Sequence, residues 1–176
     1  METVVFGGGC FWCTEAVFES LKGVSSVLPG YAGGSASSPQ VAPTYETIHS
    51  GKSDHAEVIK VEFDPAVINF RDLLTVFFAM HDPTTLNRQG ADIGSEYRSM
   101  VLCTTDTQKI ETEKFITELN QTGPKVVTEV RPLEKFYEAE EGHKQFYKNN
   151  IDSPYCQVVI NPKMEKLKAR FKELIR

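Results

Sequence analysis

The chain has 176 residues, of which 40% are hydrophobic, and it carries a formal net charge of −5. This length and apolar content predict one domain with a buried core. The acidic balance argues against nucleic-acid binding, which normally needs a basic surface. No basic leader precedes an apolar region, and no apolar run is long enough to cross a bilayer, so we expect a cytoplasmic protein without membrane attachment.

Hydrophobic periodicity and turn residues predict strands that alternate with helices along the chain. The predicted strands cover residues 2–7, 24–31, 58–63, 98–104 and 126–130. The predicted helices cover residues 11–22, 70–80 and 138–148, a segment from Thr105 to a stop at Gly123, and a last helix that opens at Asn161. Residues 35–43 and 87–96 are expected to be loops. Asn69 and Thr105 have the spacing of N-terminal helix caps.

This order of elements favours a two-layer α+β sandwich of βαββαβ (ferredoxin-like) type, with extra helices and loops, over a doubly wound parallel sheet. We expect residues 1–176 to form a single catalytic domain. Its core would span about residues 1–155, and residues 156–176 would form a C-terminal segment with a terminal amphipathic helix.

The strongest local feature is three glycines followed by Cys10, Phe11, Trp12 and Cys13. The glycines permit a tight turn from a strand into a helix. Cys10 would then lie at the helix start, where unpaired N–H groups and the helix dipole favour the reactive thiolate. A small buried residue at a strand–helix corner is the plainer interpretation, but the second cysteine one turn later favours thiol chemistry. Phe11 and Trp12 are either core residues or an apolar wall beside the thiolate.

A Cys-x-x-Cys pair suits either redox chemistry or half of a zinc site. Structural zinc needs two further ligands, and Cys103, Cys156 and the four histidines form no second close pair. We therefore expect no metal. Cys103 lies in a predicted strand and is expected to be a buried structural thiol, whereas Cys156 lies in a predicted loop and could move to reach another thiol. Pattern alone does not distinguish Glu57 from the other acidic residues.

Several motifs nevertheless resemble those of the methionine sulfoxide reductase A family, and they occur in the family's order along most of the chain. They are Gly9-Cys10-Phe11-Trp12 with Glu15, residues 30–34, Pro43-Thr44-Tyr45-Glu46, Gly51 with His55-Ala56-Glu57-Val58, Phe63-Asp64-Pro65, His81-Asp82-Pro83, residues 87–94, and Tyr97-Arg98-Ser99. The resemblance implies an α+β fold and thiol-dependent reduction of the S epimer of methionine sulfoxide, free or in proteins. It implies no cofactor.

The resemblance also assigns roles to the matching residues. Cys10 would attack the sulfoxide sulfur, and Glu57 would protonate the sulfoxide oxygen from a desolvated site that raises its pKa. Tyr45 and Tyr97 would donate hydrogen bonds to the same oxygen, and Asp92 would order the polar side of the site. Phe11 and Trp12 would enclose the S-methyl group of the substrate.

The same resemblance implies a sulfenic acid on Cys10 that condenses with a second thiol, followed by reduction of the disulfide by thioredoxin. Cys156 matches the usual C-terminal resolving cysteine and is the favoured first resolver. Many relatives carry glycine at the position of Cys13, so Cys13 remains open as a relay, an alternative resolver or a structural residue. We expect a monomer.

Three other functions stay open from the sequence. A general dithiol oxidoreductase of thioredoxin type also has a strand, a Cys-x-x-Cys pair and a helix in that order. A non-catalytic module that binds sulfoxides or peptides would not need the Cys10 thiol. A zinc-stabilised structural domain is the third alternative.

Overall fold

The structure is a computed structural model that describes residues 1–35, 37 and 42–176. Its strands are β1 (Glu2–Gly7), β2 (Val24–Ala32), β3 (Ala56–Phe63), β4 (Arg88–Gln89), β5 (Asp92–Ile93), β6 (Met100–Cys103), β7 (Glu129–Pro132) and β8 (Phe136–Glu138). Its helices are α1 (Phe11–Glu19), α2 (Tyr45–His49), α3 (Phe70–Met80), α4 (Asp106–Thr122), α5 (Phe146–Asn149) and α6 (Asn161–Arg170). Most of the loop expected over residues 35–43 lies outside the described residues.

Six strands form one mixed sheet in the order β7-β6-β1-β3-β2-β8, and β4 pairs with β5 in a separate hairpin. Within the large sheet, β1 is antiparallel to both β3 and β6, and β2 is antiparallel to both β3 and β8. Only the β6–β7 pair among the described strands is parallel. The mixed α+β class predicted from the sequence is therefore confirmed.

The alternation of side chains along β1 divides the core between the two faces of the sheet. Val4 and Phe6 point into the larger core, whereas Val5 belongs to a smaller cluster on the opposite face. Phe6 stacks on Phe18 of α1 at 5.1 Å and on Phe77 of α3 at 4.6 Å between ring centroids. Since truncating such a buried ring costs about 3–5 kcal/mol, this contact fixes α1 and α3 on the sheet.

The two helix caps predicted from the sequence are confirmed. The Asn69 side chain accepts the backbone N–H of Asp72 at 2.8 Å, and α3 begins one residue after Asn69. The Thr105 hydroxyl accepts the backbone N–H of Gln108 at 3.1 Å at the start of α4. Both caps satisfy an N–H group that has no partner within its own helix.

The helix predicted over residues 138–148 is wrong. This stretch contains the end of β8, a short 3₁₀ turn (Glu141–His143) and the four-residue helix α5. The break comes at Gln145, whose φ of 51° lies in the left-handed region and whose N–H donates to the buried Glu15 carboxylate at 2.8 Å. A tertiary hydrogen bond therefore overrides the local helical pattern.

Other predicted boundaries shift by smaller amounts. The strand predicted over residues 126–130 is β7 (Glu129–Pro132), and the loop predicted over residues 87–96 contains the β4–β5 hairpin. The last helix begins at Asn161 as predicted, but a π-helical turn (Cys156–Ile160) leads directly into it. Across the described part of the chain, no helix is both long enough and apolar enough to span a membrane.

Candidate active site

Cys10 lies where β1 ends in the middle of the sheet and α1 begins. The turn needs glycine at position 9, because Gly9 has a φ of +93° and a Cβ there would lie 2.6 Å from Cγ of Gln89. Cys10 is the N-cap residue of α1 and is partly exposed. The sequence placed Cys10 correctly at the start of a helix.

Glu57 lies on β3, next to β1, and is only 2% exposed. The backbone N–H of Phe11 donates to its Oε1 at 3.2 Å, and Nε2 of His49 lies 2.8 Å from its Oε2. Burial raises the pKa of the Glu57 carboxyl, although the hydrogen bond from His49 opposes this shift. The raised pKa predicted for a desolvated acid is confirmed in direction.

These residues surround a pocket of about 160 Å³, lined by Cys10, Trp12, Tyr45, Glu57, Asp92, Tyr97 and Tyr155. Six of the residues predicted from the sequence are thus brought together, and Tyr155 joins them. The Phe11 ring is not part of the lining. Phe11 is fully buried and packs at 5.7 Å from the Tyr31 ring and 5.4 Å from the His143 ring, so it supports the pocket from behind.

Aromatic rings hold Trp12 in one orientation at the apolar side of the pocket. The Phe146 ring of α5 stacks on the indole at 3.7 Å with an interplanar angle of 6°, and the Tyr155 ring meets it edge-on at 5.4 Å. The indole N–H donates to Nδ1 of His143 at 3.2 Å. Trp12 is therefore a fixed wall, with one stacked face and its polar N–H already satisfied.

The second cysteine of the motif lies behind the first. Cys13 is 2% exposed, and its Sγ lies 3.6 Å from the Tyr155 hydroxyl. A hydrogen bond with Cys10 lowers the pKa of Cys13 to about 6, and the Lys163 ammonium on α6 also lowers it, while burial opposes both effects. The titrations of the two thiols are therefore linked.

The start of a helix does not by itself lower the pKa of the Cys10 thiol. The hydrogen bond with Cys13, burial and the nearby Glu57 carboxylate together raise the pKa of Cys10 well above its usual value. The dipole of α1 is thus outweighed by close negative charge and desolvation. Ionisation of Cys10 requires that this local charge be neutralised.

Cys156 is not in a mobile loop, and that expectation is wrong. It opens the π-helical turn Cys156–Ile160, is fully buried, and donates its backbone N–H to the Ser153 hydroxyl at 3.2 Å. Cys156, Ile160, Met164 and Leu167 pack into the main core, and this burial orders the segment. Cys103 is buried in β6, as predicted.

Several residues around the site were not predicted from the sequence. His49, Glu96, Glu140, His143 and Phe146 reach the pocket or its walls through tertiary contacts. Only His49 had a local clue, since it follows Tyr45 by four residues and so shares a helical face with it. Within residues 1–35, 37 and 42–176, no group of three His, Cys, Asp or Glu side chains is arranged to hold a metal ion.

A cysteine at a helix start, a buried carboxyl beside it and an aromatic wall opposite define a thiol-based oxidoreductase site. The model of the family described as peptide methionine sulfoxide reductase matches residues 2–175. The chain therefore belongs to this family and is a methionine sulfoxide reductase, an enzyme of the oxidoreductase class.

Individual relatives agree with this assignment. Peptide methionine sulfoxide reductase MsrA of Sulfolobus acidocaldarius is 51% identical over 172 residues, which cover 97% of this chain and 96% of that protein. The protein of the same name from Psychrobacter cryohalolentis is 49% identical and covers 98% of both chains.

Solved structures give the same result. Reduced Mxr1 from Saccharomyces cerevisiae is similar with a TM-score of 0.81 and 34% identity, covering 88% of each chain. Mxr1 in complex with Trx2 is similar with a TM-score of 0.58 and 28% identity, covering 82% of this chain and 84% of that one.

Proposed function

We propose that this enzyme reduces the S epimer of methionine sulfoxide, free and in proteins, with Cys10 as the nucleophile. The observation that carries this proposal is the position of Cys10. Among the described cysteines it alone is partly exposed, and it opens onto a pocket that also contains Glu57. A sulfoxide needs both a nucleophile for its sulfur and an acid for its oxygen, and this pocket offers one of each.

In the reductive step, the Cys10 thiol first loses its proton to solvent. The resulting thiolate attacks the sulfoxide sulfur while Glu57 donates a proton to the sulfoxide oxygen. Protonation turns a poor leaving oxide into a hydroxyl that can transfer to the Cys10 sulfur. The S–O bond of the substrate breaks, an S–O bond to Cys10 forms, and the products are methionine and a Cys10 sulfenic acid. Two electrons pass from Cys10 to the substrate, and the proton lost by Glu57 is retained in the sulfenic acid.

The pocket walls supply the selectivity that we propose. Tyr45 and Tyr97 donate hydrogen bonds to the sulfoxide oxygen, and Asp92 orders the polar side. The methyl group packs against Trp12, with Phe11 behind it. Because the oxygen and the methyl group are directed to different sides of the pocket and the rest of the methionine side chain must point out of it, only one configuration at sulfur presents its electrophilic side to Cys10.

The sulfenic acid then condenses with a second thiol to form a disulfide and water. Although sequence resemblance favoured Cys156, we propose Cys13 as the first resolver, because Cys13 follows Cys10 by three residues at the start of α1 and its interaction with Cys10 lowers its pKa. Cys156 is fully buried and would serve in a later exchange, after the π-helical turn opens. We propose thioredoxin as the final reductant, which the yeast relative in complex with Trx2 supports.

We further propose that residues 1–176 act as one domain and as a monomer. The order β6-β1-β3-β2 with α1 and α3 supports a βαββαβ unit at its centre. Four free cysteines support a reducing compartment such as the cytoplasm.

Intact mass spectrometry after a reaction with methionine-S-sulfoxide in the absence of reductant tests the proposal. The unmodified chain, Cys13→Ser and Cys156→Ser are compared, and new disulfides are mapped by peptide digestion. A Cys10–Cys13 disulfide that persists in Cys156→Ser supports the scheme. A Cys10–Cys156 disulfide that persists in Cys13→Ser would move resolution to Cys156. If neither methionine nor oxidised Cys10 forms in any variant, the proposed reaction is wrong.

A further inference from the structure

His49 forms a bridge between the buried acid and the edge of the pocket. Its Nε2 lies 2.8 Å from Oε2 of Glu57, and its Nδ1 lies 3.5 Å from Oε1 of Glu96. The His49 side chain is 23% exposed, whereas that of Glu57 is 2% exposed. A proton can thus reach His49 directly from solvent, whereas it can reach Glu57 only through the pocket, which a bound substrate would fill.

Three features of the surroundings favour a proton on His49. Glu57, Glu96 and Asp92 are the acidic groups that act on it, and each favours the imidazolium. Tyr45 lies 4.1 Å from the imidazole ring centroid, and Tyr97 meets the ring at 5.7 Å. The hydrogen bond with Glu57, which is the largest effect, raises the pKa of His49, and burial opposes this rise only partly.

We propose that His49 is the proton store of the pocket: it supplies through Nε2 the proton that Glu57 gives to the sulfoxide oxygen, and it recovers that proton from solvent. This role rests on the proposed reductase mechanism. His49 does not touch the substrate, so it is a positioning and proton-supplying residue rather than the acid itself.

A bound sulfoxide displaces water from the pocket, which favours the neutral pair of imidazole and carboxylic acid over the ion pair. The proton then moves from Nε2 of His49 to Oε2 of Glu57. The Glu57 carboxylate contributes to the raised pKa of Cys10, so its neutralisation also favours the Cys10 thiolate. After the oxygen is protonated, Glu57 is again a carboxylate, and His49 takes one proton from water, which restores the ion pair.

A coupled pair keeps its last proton to a higher pH than either group alone would. The rate of methionine formation should therefore fall at alkaline pH where the pair loses its last proton. In His49→Gln an amide replaces Nε2 and can still donate to Glu57, but it cannot store a proton. Glu57 must then hold the proton by itself, and we expect the alkaline limb of the rate profile to move to lower pH.

The experiment measures the rate of methionine formation in a single turnover of the full chain from pH 5 to pH 9. For His49→Gln we expect an alkaline limb lower by about one pH unit, hence about tenfold slower reaction at pH 8, with the acid plateau within about threefold of the unmodified enzyme. Glu96→Gln should move the limb in the same direction by a smaller amount. His55→Gln, a histidine outside the pocket lining, is the matched control and should leave the profile unchanged.

A uniform loss of rate at every pH in His49→Gln would show a merely structural role and overturn the proposal, as would an unchanged profile. If the Gln variant folds poorly, His49→Ala with added imidazole replaces it. Recovery at pH 8 that follows the imidazolium concentration supports the proton store, and no recovery in a folded variant contradicts it. Failure of the unmodified enzyme to form methionine would instead disprove the reductase mechanism, so the two failures are distinguishable.

Discussion

Glu15 on α1 and Glu57 on β3 are both almost fully buried, with exposed fractions of 1% and 2%. Burial raises the pKa of both carboxyls, that of Glu15 to about 7. Glu57 has a partner for each oxygen and lines the pocket. Glu15 faces the protein interior, where its Oε1 accepts the Gln145 N–H at 2.8 Å and its Oε2 has no hydrogen-bond partner among the described residues.

These two glutamates show that a raised carboxyl pKa alone does not give a residue a role in catalysis. Desolvation raises the pKa of each carboxyl, but only Glu57 has an open pocket on one side and an imidazole on the other. Glu15 instead anchors the segment that leads into α5, whose Phe146 ring stacks on Trp12. In the proposed mechanism, Glu57 acts on the substrate, whereas Glu15 supports the wall of the pocket.

The largest effect should come from Glu57→Gln. We expect the rate of methionine formation in a single turnover to fall by about 10²- to 10⁴-fold, because the amide cannot protonate the sulfoxide oxygen. Stopped-flow mixing with methionine-S-sulfoxide and quantification of methionine provide the measurement, with the thermal unfolding midpoint as the control for folding. A folded variant with an unchanged rate and pH profile would remove Glu57 from the chemistry.

Glu15→Ala should act mainly on stability. The change leaves the Gln145 N–H without its acceptor in a buried site and creates a cavity, so we expect a loss of about 2–4 kcal/mol in the free energy of unfolding. Urea unfolding monitored by far-UV circular dichroism measures it. If Glu15→Ala instead abolished single-turnover chemistry in a folded protein of normal stability, the assignment of Glu15 to stability and Glu57 to the reaction would be wrong.

Local signals in the sequence were sufficient for the elements whose ends they determine. The glycine turn before Cys10 and the caps at Asn69 and Thr105 depend on neighbours a few residues away, and each was predicted correctly. Residues 138–148 were misjudged because a hydrogen bond from Gln145 to Glu15, 130 positions earlier, sets their backbone. A pattern among neighbouring residues gives no information about a contact between residues so far apart in the sequence.

The candidate site shows the same limit. Composition and spacing identified Cys10 and Cys13, whereas Glu57, Tyr45, Tyr97 and Asp92 came only from resemblance to a family. A motif match assigns roles where relatives share the residue, but it says nothing about a partner such as His49. The His49–Glu57 pair is a property of folded geometry, since α2 must lie across β3 for the imidazole to reach the carboxyl.

The raised pKa of Glu15 also makes the free energy of unfolding depend on pH. The pKa of Glu15 rises from its ordinary 4.5 to about 7 in the folded state. The folded protein therefore holds this proton more tightly than the unfolded chain does. The resulting stability is fully present below pH 4.5 and is lost as the pH rises through 7.

Glu15→Gln does not titrate, so the difference in stability between it and the unmodified protein isolates this group. We expect the variant to gain about 2 kcal/mol relative to the unmodified protein between pH 4.5 and pH 8, after allowance for partial screening. Urea unfolding of both proteins at each pH gives the difference, in which the other titrating groups cancel. A difference that stays constant with pH would mean that Glu15 titrates normally.

The smallest effect should come from Phe146→Leu. This change tests whether the segment that Glu15 anchors affects substrate binding through the contact of Phe146 with Trp12. Leucine keeps an apolar contact with Trp12 but loses the stacked ring, a change worth about 0.5–1.5 kcal/mol. If Trp12 is the wall for the methyl group, this looser support should raise KM for methionine-S-sulfoxide about two- to tenfold and leave kcat nearly unchanged, because Cys10 and Glu57 are untouched. Steady-state kinetics with a dithiol reductant measure both constants. A fall in kcat at constant KM would instead connect α5 to the thiol exchange near Tyr155, and Glu15 would then support recycling rather than substrate binding.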